Sequence, residues 1–365
     1  MHGAFVNARL LLVATLVGLV ACSGGDRGAT SSNNAHTAGT SYGGVDLTGA
    51  GATFPNPIYS KWFAEYARQT GIKINYQSIG SGGGIRQLTA GTVDFGASDA
   101  PMTDAELAKA PRPVLHFPTV IGAVVITYNL PSVKQPLHLT GDVIAGIFSG
   151  EITKWNDTRI TSLNPGASLP AKDMLVVHRS DGSGTTYIFS DYLSTVSSTW
   201  AQHPGRGKEL RWPVGLGAKG NEGVSGQVKQ TEGAIGYTEL AYAVENKLPV
   251  AAIQNAAGAW VAPSVESATA AAAGAAARLP TNTDYRISIV NAPGTGAYPI
   301  SSFTWLLVYA SYPNAVKGKK LMDFLHWYLA HGEAMASSLD YAPLPPNIVT
   351  RLQSRIDQIA VGATS

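Results

Sequence analysis

Three short segments combine glycines with hydroxyl side chains just before a stretch with helical spacing: residues 49–55, 80–85 and 179–185. The first backbone N–H groups of a helix lack partners within the helix, and the helix dipole makes that end positive. Glycine lets a ligand approach the backbone, and Ser or Thr adds a directed donor. Each segment alone is also explained by ordinary N-capping, but three in one chain predict a site for a tetrahedral oxyanion.

Two charged residues in the third segment strengthen that interpretation. Arg179 can neutralise an oxyanion through two parallel hydrogen bonds, because its guanidinium is a planar fork. Asp181 lies two residues further on and can hold this guanidinium in place. The alternative is an exposed ion pair, which contributes little to stability.

A carboxylate near these turns looks unsuited to an anion site. Asp99 lies in the segment DFGASDAP at 94–101, and its carboxylate would repel a fully ionised anion such as sulfate. An ionised carboxylate accepts hydrogen bonds but donates none, so it favours an oxyanion that still carries a proton and penalises one that carries none. The alternative is that Asp99 caps a helix that starts near residues 102–104.

Composition excludes several classes of protein. The chain has 365 residues, with 26 Lys and Arg against 24 Asp and Glu, so no broad basic face for nucleic acid is expected. Its length and 45% apolar content fit two domains with sizeable cores. The single cysteine excludes an internal disulfide and any site with several cysteine ligands.

That cysteine follows a secretory-type leader. The apolar run 10–20 is too short for a comfortable membrane span but has the size of a signal-peptide core. The sequence LVAC at 19–22 resembles the bacterial lipobox, in which cleavage precedes an acylated cysteine. We expect a signal peptide at 1–21, lipidation of Cys22 and a polar tether at 22–44, the alternative being an ordinary signal peptide with an incidental cysteine.

Strand-like runs alternate with helical spacing after residue 44. Strands are expected at 45–47, 72–76, 93–95, 114–115 and 123–129. Helices are expected at 57–68, around Phe189 and around Leu321. This alternation predicts an α/β fold with mainly parallel sheets. The alanine-rich stretch 268–278 is expected to be a surface helix or loop without chemistry.

The motifs of common enzymes do not occur in a usable context. The chain has no nucleotide-binding G-x-x-x-x-G-K-[ST], and its one G-x-S-x-G lies at 39–43 in the polar tether. His326 and His331 are five residues apart on a helix, which is a poor spacing for one metal. We therefore expect no catalytic residues, no metal, no cofactor and no phosphatase activity.

Several longer blocks identify a family. They are GAGATFPNPIYSKW, INYQSIGSGGG, TVDFGASDAPM, FPTVIGAVV, ITKWND, HRSDGSGT, GLGAKGNEGV and GAIGY. From about residue 48 onward these blocks closely resemble the phosphate-binding proteins of bacterial phosphate-specific ABC transporters. The resemblance implies a two-lobed, type II-like periplasmic-binding-protein fold, in which two α/β domains are joined by a two-crossover hinge near residues 117–119 and 297–300. Lobe 1 would combine 45–118 with 299–365, and lobe 2 would be 119–298.

The resemblance also implies a set of phosphate ligands. By position they are Thr53, Phe54 (through its backbone N–H), Ser81, Asp99, Arg179, Ser183, Gly184 (through its backbone N–H) and Thr185. Asp181 would support Arg179 from behind. Gly82 departs from the family, which often has a second serine there. His178 lies where the family often has a second basic residue; we interpret it as an exposed loop histidine, the alternative being that it approaches the cleft and adds positive charge at low pH.

The resemblance further implies a mechanism and partners. Phosphate would make its full set of contacts only when the lobes meet, so binding would favour the closed form. A monomer anchored by its lipid outside the cytoplasmic membrane would then deliver phosphate to ABC permease subunits with their cytoplasmic ATPase; no nucleic acid is involved. Two alternatives stay open: a binding protein for sulfate, molybdate or a phosphonate, and a phosphate-sensing or adhesive surface protein.

Overall fold

The computed structural model describes residues 46–276 and 284–362. The expected signal peptide, Cys22 and the whole of the tether lie outside the described residues. The strands are β1 (Leu47–Gly51), β2 (Ile74–Ser78), β3 (Phe95–Ser98), β4 (Val114–Tyr128), β5 (His138–Leu139), β6 (Leu175–Arg179), β7 (Leu216–Ala218), β8 (Ala234–Glu239), β9 (Ala252–Gln254), β10 (Trp260–Val261), β11 (Ser301–Tyr309), β12 (Ser311–Tyr312) and β13 (Ala360–Val361).

Helices separate most of these strands. They are α1 (Asn56–Thr70), α2 (Ser81–Thr89), α3 (Asp104–Leu107), α4 (Gly141–Ser149), α5 (Thr158–Thr161), α6 (Gly184–Val196), α7 (Ser198–Gln202), α8 (Gly220–Gln230), α9 (Leu240–Glu245), α10 (Val265–Ala275), α11 (Ala315–Trp327) and α12 (Pro346–Ile356). A π-helical turn at Tyr328–Gly332 and two 3₁₀ turns follow α11. The expected α/β class is confirmed.

The main sheet has eight strands in the order β2-β1-β3-β11-β4-β8-β6-β7. The outer strands are parallel within each group, β2 with β1 and β3 on one side and β8 with β6 and β7 on the other. The centre is antiparallel, because β11 pairs with β3 and β4, and β4 pairs with β8. The expectation of mainly parallel sheets was therefore only partly right. Strand β11 returns from late in the chain to insert between earlier strands, which strand–helix alternation does not reveal.

Strand β4 joins the two groups. It pairs with β11 through Ala123 and with β8 from Val124 onward. Two separate strands, 114–115 and 123–129, were expected here, but the structure has one strand that includes Pro118, which cannot donate a ladder hydrogen bond. The structure keeps one strand by shifting its register against β11 between Thr304 and Trp305, opposite Pro118.

The expected helices are confirmed, with one correction. Helix α1 buries an aromatic face, and its Trp62 stacks on Tyr328 at 5.3 Å between ring centroids. The alanine-rich stretch was expected at the surface, but α10 buries Ala268, Ala271 and Ala275. Alanine is small enough to let a helix lie close against the sheet, so this stretch has a packing role.

The three glycine and hydroxyl segments do open helices, as predicted. Helix α1 begins at Asn56, α2 at Ser81 and α6 at Gly184.

Within residues 46–276 and 284–362, no helix combines the length and the apolar character needed to cross a membrane.

Candidate oxyanion-binding site

The predicted ligand residues are all buried. They lie at the ends of strands of the main sheet and at the starts of the helices that follow these strands. They are Thr53, Phe54, Ser81, Asp99, Arg179, Ser183, Gly184 and Thr185. Charged and hydroxyl side chains are rarely fully buried unless they have partners. The hydrogen-bond and ion-pair partners of these side chains therefore show how the site is built.

Ser81 lies at the centre of one half of the site. Its Oγ accepts the backbone N–H of Gly184 at 3.0 Å and that of Asp99 at 3.2 Å. A Cβ at Gly184 would lie 2.5 Å from both the Asp99 carboxylate and the Ser81 Oγ. Only glycine therefore allows the start of α6 to approach the start of α2 this closely.

Arg179 is buried and fixed by Asp181. Its side chain is 1% exposed, and Nε and Nη2 donate to the two oxygens of Asp181 at 2.8 and 2.5 Å. Burial raises the pKa of Asp181, but the bonds and charge of Arg179 outweigh it and hold the pKa below its ordinary value. The alternative of an exposed surface pair is wrong. Arg179 Nη1 also donates to Thr185 Oγ1 at 3.3 Å, which aims the guanidinium at the start of α6.

Asp99 is held by hydroxyls and does not cap a helix. Its Oδ1 accepts from Thr304 Oγ1 at 2.7 Å, and its Oδ2 lies 3.4 Å from Ser81 Oγ. Thr103 is the N-cap of α3, so the capping alternative for Asp99 is wrong. Burial raises the pKa of Asp99 to about 7, against the opposing effects of Thr304 and the Arg179 charge.

Thr53 and Phe54 are placed through their backbone as well as their side chains. Tyr242 donates to the Thr53 carbonyl at 2.6 Å, and Tyr341 donates to the Phe54 carbonyl at 2.7 Å. Gly122 leaves room for the Phe54 ring, because a Cβ there would lie 2.5 Å from ring atoms. The turn before α1 is thus fixed from both sides.

Ser183 is the N-cap of α6. Its Oγ accepts the backbone N–H of Thr186 at 3.0 Å, and its own N–H donates to the Lys208 carbonyl at 2.9 Å. The N-capping explanation therefore holds for this hydroxyl, which also lies next to Gly184.

Two buried residues of the site were not singled out from the sequence. Asn221 donates its side-chain amide to Thr53 Oγ1 at 2.8 Å and to Thr185 Oγ1 at 3.2 Å. Thr304 holds Asp99, as described above. Asn221 lies in the block GLGAKGNEGV, which carried the family resemblance, and its position after a glycine at a helix start was the available signal.

The two departures from the family have structural explanations. His178 is half-buried on β6 and stacks on Trp212 at 4.7 Å, so the interpretation as an exposed loop histidine is wrong. Gly82 donates its N–H to the Gly182 carbonyl at 2.8 Å, and a Cβ there would lie 3.0 Å from Gly182 Cα. Because position 82 is a glycine and not a serine, the turn at Gly82 can lie in direct contact with the turn at Gly182.

Taken together, the site offers hydroxyls, helix-start N–H groups and one guanidinium as donors, with Asp99 as an acceptor. This set suits a tetrahedral anion that carries at least one proton. Among residues 46–276 and 284–362, no group of three or more His, Cys, Asp and Glu is arranged to hold a metal ion.

The chain is similar to known proteins over most of its length. The profile of the PBP superfamily domain matches residues 29–331. The chain is 49% identical to the phosphate-binding protein PstS of Xylella fastidiosa (strain Temecula1) over 311 residues, 85% of this chain and 84% of that protein. It is 46% identical to PstS of Pasteurella multocida over 310 residues, 85% of this chain and 89% of that protein.

A solved structure agrees with the fold. It is the high-affinity periplasmic phosphate-binding protein PfluDING, solved with bound phosphate. It superimposes with a TM-score of 0.67 at 22% identity and covers 85% of this chain and 93% of its own. The expected periplasmic-binding-protein fold is therefore confirmed.

Proposed function

The chain belongs to the PBP superfamily and, within it, to the PstS phosphate-binding proteins, and on that premise we propose that it binds inorganic phosphate outside the cytoplasmic membrane and delivers it to an ABC-type importer. The observation that carries the proposal is the buried cluster around Ser81, Asp99 and Arg179. Its donors and its one carboxylate match the charge and the proton of phosphate at neutral pH. Thr53, Phe54, Ser183, Gly184 and Thr185 complete the ligand set.

Selectivity would come from Asp99. Phosphate can donate its proton to this carboxylate, whereas sulfate would place an unprotonated oxygen against it. Sites that require a ligand hydrogen can discriminate by about 10⁴–10⁵, because the wrong ligand leaves buried groups unpaired. This supports phosphate over sulfate and molybdate as the cargo.

Capture would proceed by closure of two lobes. The proposed lobe 1 (45–118 with 299–365) supplies Thr53, Ser81 and Asp99, and lobe 2 (119–298) supplies Arg179 and the start of α6. Bonds such as Ser81 to Gly184 connect the two halves and would form only when they meet. Phosphate bound by both lobes would therefore shift the hinge toward the closed form, the hinge lying near 117–119 and 297–300.

The remaining parts of the proposal concern the setting of the protein. It acts as a monomer, catalyses no reaction and presents its closed lobes to a permease that a cytoplasmic ATPase drives.

An acyl chain on Cys22 would keep it at the membrane, with 22–44 as the tether. One acyl chain binds membranes only weakly and stable anchoring takes two signals, so acylation of both the thiol and the amine is expected. Cys22→Ala should release the protein from membrane fractions; an unchanged membrane fraction would refute the anchor.

Equilibrium dialysis of the purified protein against radiolabelled phosphate tests the binding function. One phosphate per chain is expected, displaced by unlabelled phosphate but not by an equal excess of sulfate or molybdate. Displacement by sulfate or molybdate at equal concentration would favour the alternative of another oxyanion. A phosphate-uptake defect on deletion would separate a transport component from a sensing or adhesive protein.

A further inference from the structure

Asn221 is a fully buried residue at the start of α8, and it is not among the expected phosphate ligands. Its amide orientation is fixed by a backbone partner. Oδ1 accepts the N–H of Glu239 at 3.2 Å, and a backbone N–H can only donate. Thr238 Oγ1 also donates to Oδ1, at 3.2 Å. The Nδ2 group must therefore face the oxyanion site.

Both hydrogens of Nδ2 are used on site hydroxyls. One goes to Thr53 Oγ1 at 2.8 Å and the other to Thr185 Oγ1 at 3.2 Å. Thr53 Oγ1 also accepts the backbone N–H of Asn221 at 3.3 Å, and Thr185 Oγ1 also accepts from Arg179 Nη1 at 3.3 Å. Each hydroxyl oxygen thus receives two donors.

A hydroxyl has two acceptor lone pairs and one hydrogen to donate. When two N–H donors fill the lone pairs, the hydroxyl can act toward a ligand only as a donor. We propose that Asn221 is a positioning residue that fixes the Thr53 and Thr185 hydroxyls as donors toward the bound anion. Thr53 belongs to the proposed lobe 1 and Thr185 to lobe 2, so Asn221 completes this arrangement only on closure.

This inference rests on the proposed phosphate binding, and it predicts that the loss of Asn221 weakens that binding. Without Asn221 each threonine can turn its hydrogen toward other acceptors, and closure loses a bond that joins the halves. Asn221→Ala is expected to weaken phosphate binding by about 10- to 100-fold, the effect of one or two neutral hydrogen bonds. Asn221→Asp keeps the shape but replaces the donating amide by an acceptor, and it should weaken binding further.

A double-mutant cycle measured by calorimetry separates positioning from structural support. If Asn221 acts through the two hydroxyls, Asn221→Ala should weaken phosphate binding by less than about threefold in a Thr53→Val/Thr185→Val background. Equal losses in both backgrounds would overturn the inference, as would unchanged affinity of Asn221→Ala or Asn221→Asp. Asn164→Ala is the matched control, because the buried amide of Asn164 bonds the His138 and Ile160 carbonyls away from the site.

The same titrations distinguish this inference from the proposed function. Wild-type protein that takes up no phosphate would refute phosphate binding itself. Wild-type protein that binds phosphate, with no coupling between Asn221 and the threonines, would refute only the positioning role. Unfolding temperatures measured without phosphate show whether each variant is folded. If Asn221→Ala does not fold, Asn221→Asp takes its place in the double-mutant cycle.

Discussion

The Oγ of Ser81 lies 3.0 Å from the backbone nitrogen of Gly184, so the starts of helices α2 and α6 face each other across one buried hydroxyl. Two positive helix ends brought this close would repel unless a negative group lies between or beside them. Asp99 supplies part of that negative charge, because its Oδ2 lies 3.4 Å from the same Oγ. In the proposed function, Asp99 therefore determines selectivity, and the two helix starts make the contacts that close the site.

The first prediction is that Asp99→Asn reduces the preference for phosphate over sulfate. The amide can donate to an unprotonated oxygen, so phosphate should bind more weakly and sulfate more tightly, and the affinity ratio should fall by about 100-fold. Competition calorimetry at pH 8 measures this ratio. Asp94→Asn is the control, because Asp94 lies in the same segment but bonds Thr48 and Lys317. A ratio unchanged in Asp99→Asn would remove Asp99 as the selectivity determinant.

The second prediction concerns stability and pH. Burial raises the pKa of Asp99 to about 7 from an ordinary 3.8, so between these values the folded protein holds a proton that the unfolded chain has released. The contribution of Asp99 to stability is therefore fully present below pH 3.8 and is lost as the pH rises through 7. Asp99→Asn cannot ionise, so its unfolding temperature relative to wild type should rise by roughly 5 °C between pH 5 and pH 8.

Scanning calorimetry of the two proteins without phosphate makes that comparison. Another buried carboxyl, Glu333, has a raised pKa as well, but Asp99 does not contribute to that shift, so the effect of Glu333 is common to both proteins and cancels in the difference. A difference that stays constant with pH, or that falls, would show that Asp99 is ionised and hydrated in the unliganded protein.

The third prediction is that Arg179→Lys binds phosphate about 10- to 100-fold more weakly. An ammonium group cannot donate two parallel bonds to Asp181 and still reach Thr185, whereas the guanidinium of Arg179 does both. Isothermal titration with phosphate measures the loss. Arg206→Lys is the control, since Arg206 pairs with Asp191 on a half-exposed side chain. Equal affinity for Arg179→Lys and wild type would mean that charge alone matters at this position.

The fourth prediction concerns an ion pair that joins the two proposed lobes. Lys208 Nζ bonds both oxygens of Glu106 at 2.6 and 2.7 Å, and the carbonyl of Lys208 accepts the N–H of Ser183 in the site. Burial raises the pKa of Glu106, but the bonds from Lys208 and Thr103 outweigh it and lower the pKa overall. The carboxylate is therefore charged at neutral pH, and the ion pair would favour the closed form of the two proposed lobes.

Glu106→Gln should speed phosphate release by about 10-fold, because the open form becomes easier to reach, while association changes less. Stopped-flow measurement of phosphate release gives the rate. Asp173→Asn removes an exposed pair with Lys154 and should leave the rate unchanged. The same release rate in Glu106→Gln and wild type would show that this pair does not contribute to closure.

Features of the fold and the site could be predicted from the sequence when they depend on residues that are close together in the chain. The helix starts at Ser81 and Gly184 were predicted, because glycine and hydroxyl residues act on the backbone of their immediate neighbours. The Arg179–Asp181 pair was predicted for the same reason, since the two residues are two positions apart.

Features that depend on distant parts of the chain were missed. Asn221 bonds Thr53 across 168 residues, and Thr304 bonds Asp99 across 205. No spacing rule connects such residues, because the long central strands β4 and β11 bring them together. The insertion of β11 beside β4 also made the sheet mixed where parallel strands were expected. The assignment of residues to two lobes stays a prediction.

The central claim is that this buried site binds phosphate and rejects an equally shaped anion without a proton. Isothermal titration of the purified protein with phosphate and then with sulfate at pH 8 tests it most directly. We expect one phosphate per chain and a sulfate affinity at least about 10⁴-fold weaker. Absence of phosphate binding, or equal affinity for the two anions, would contradict it.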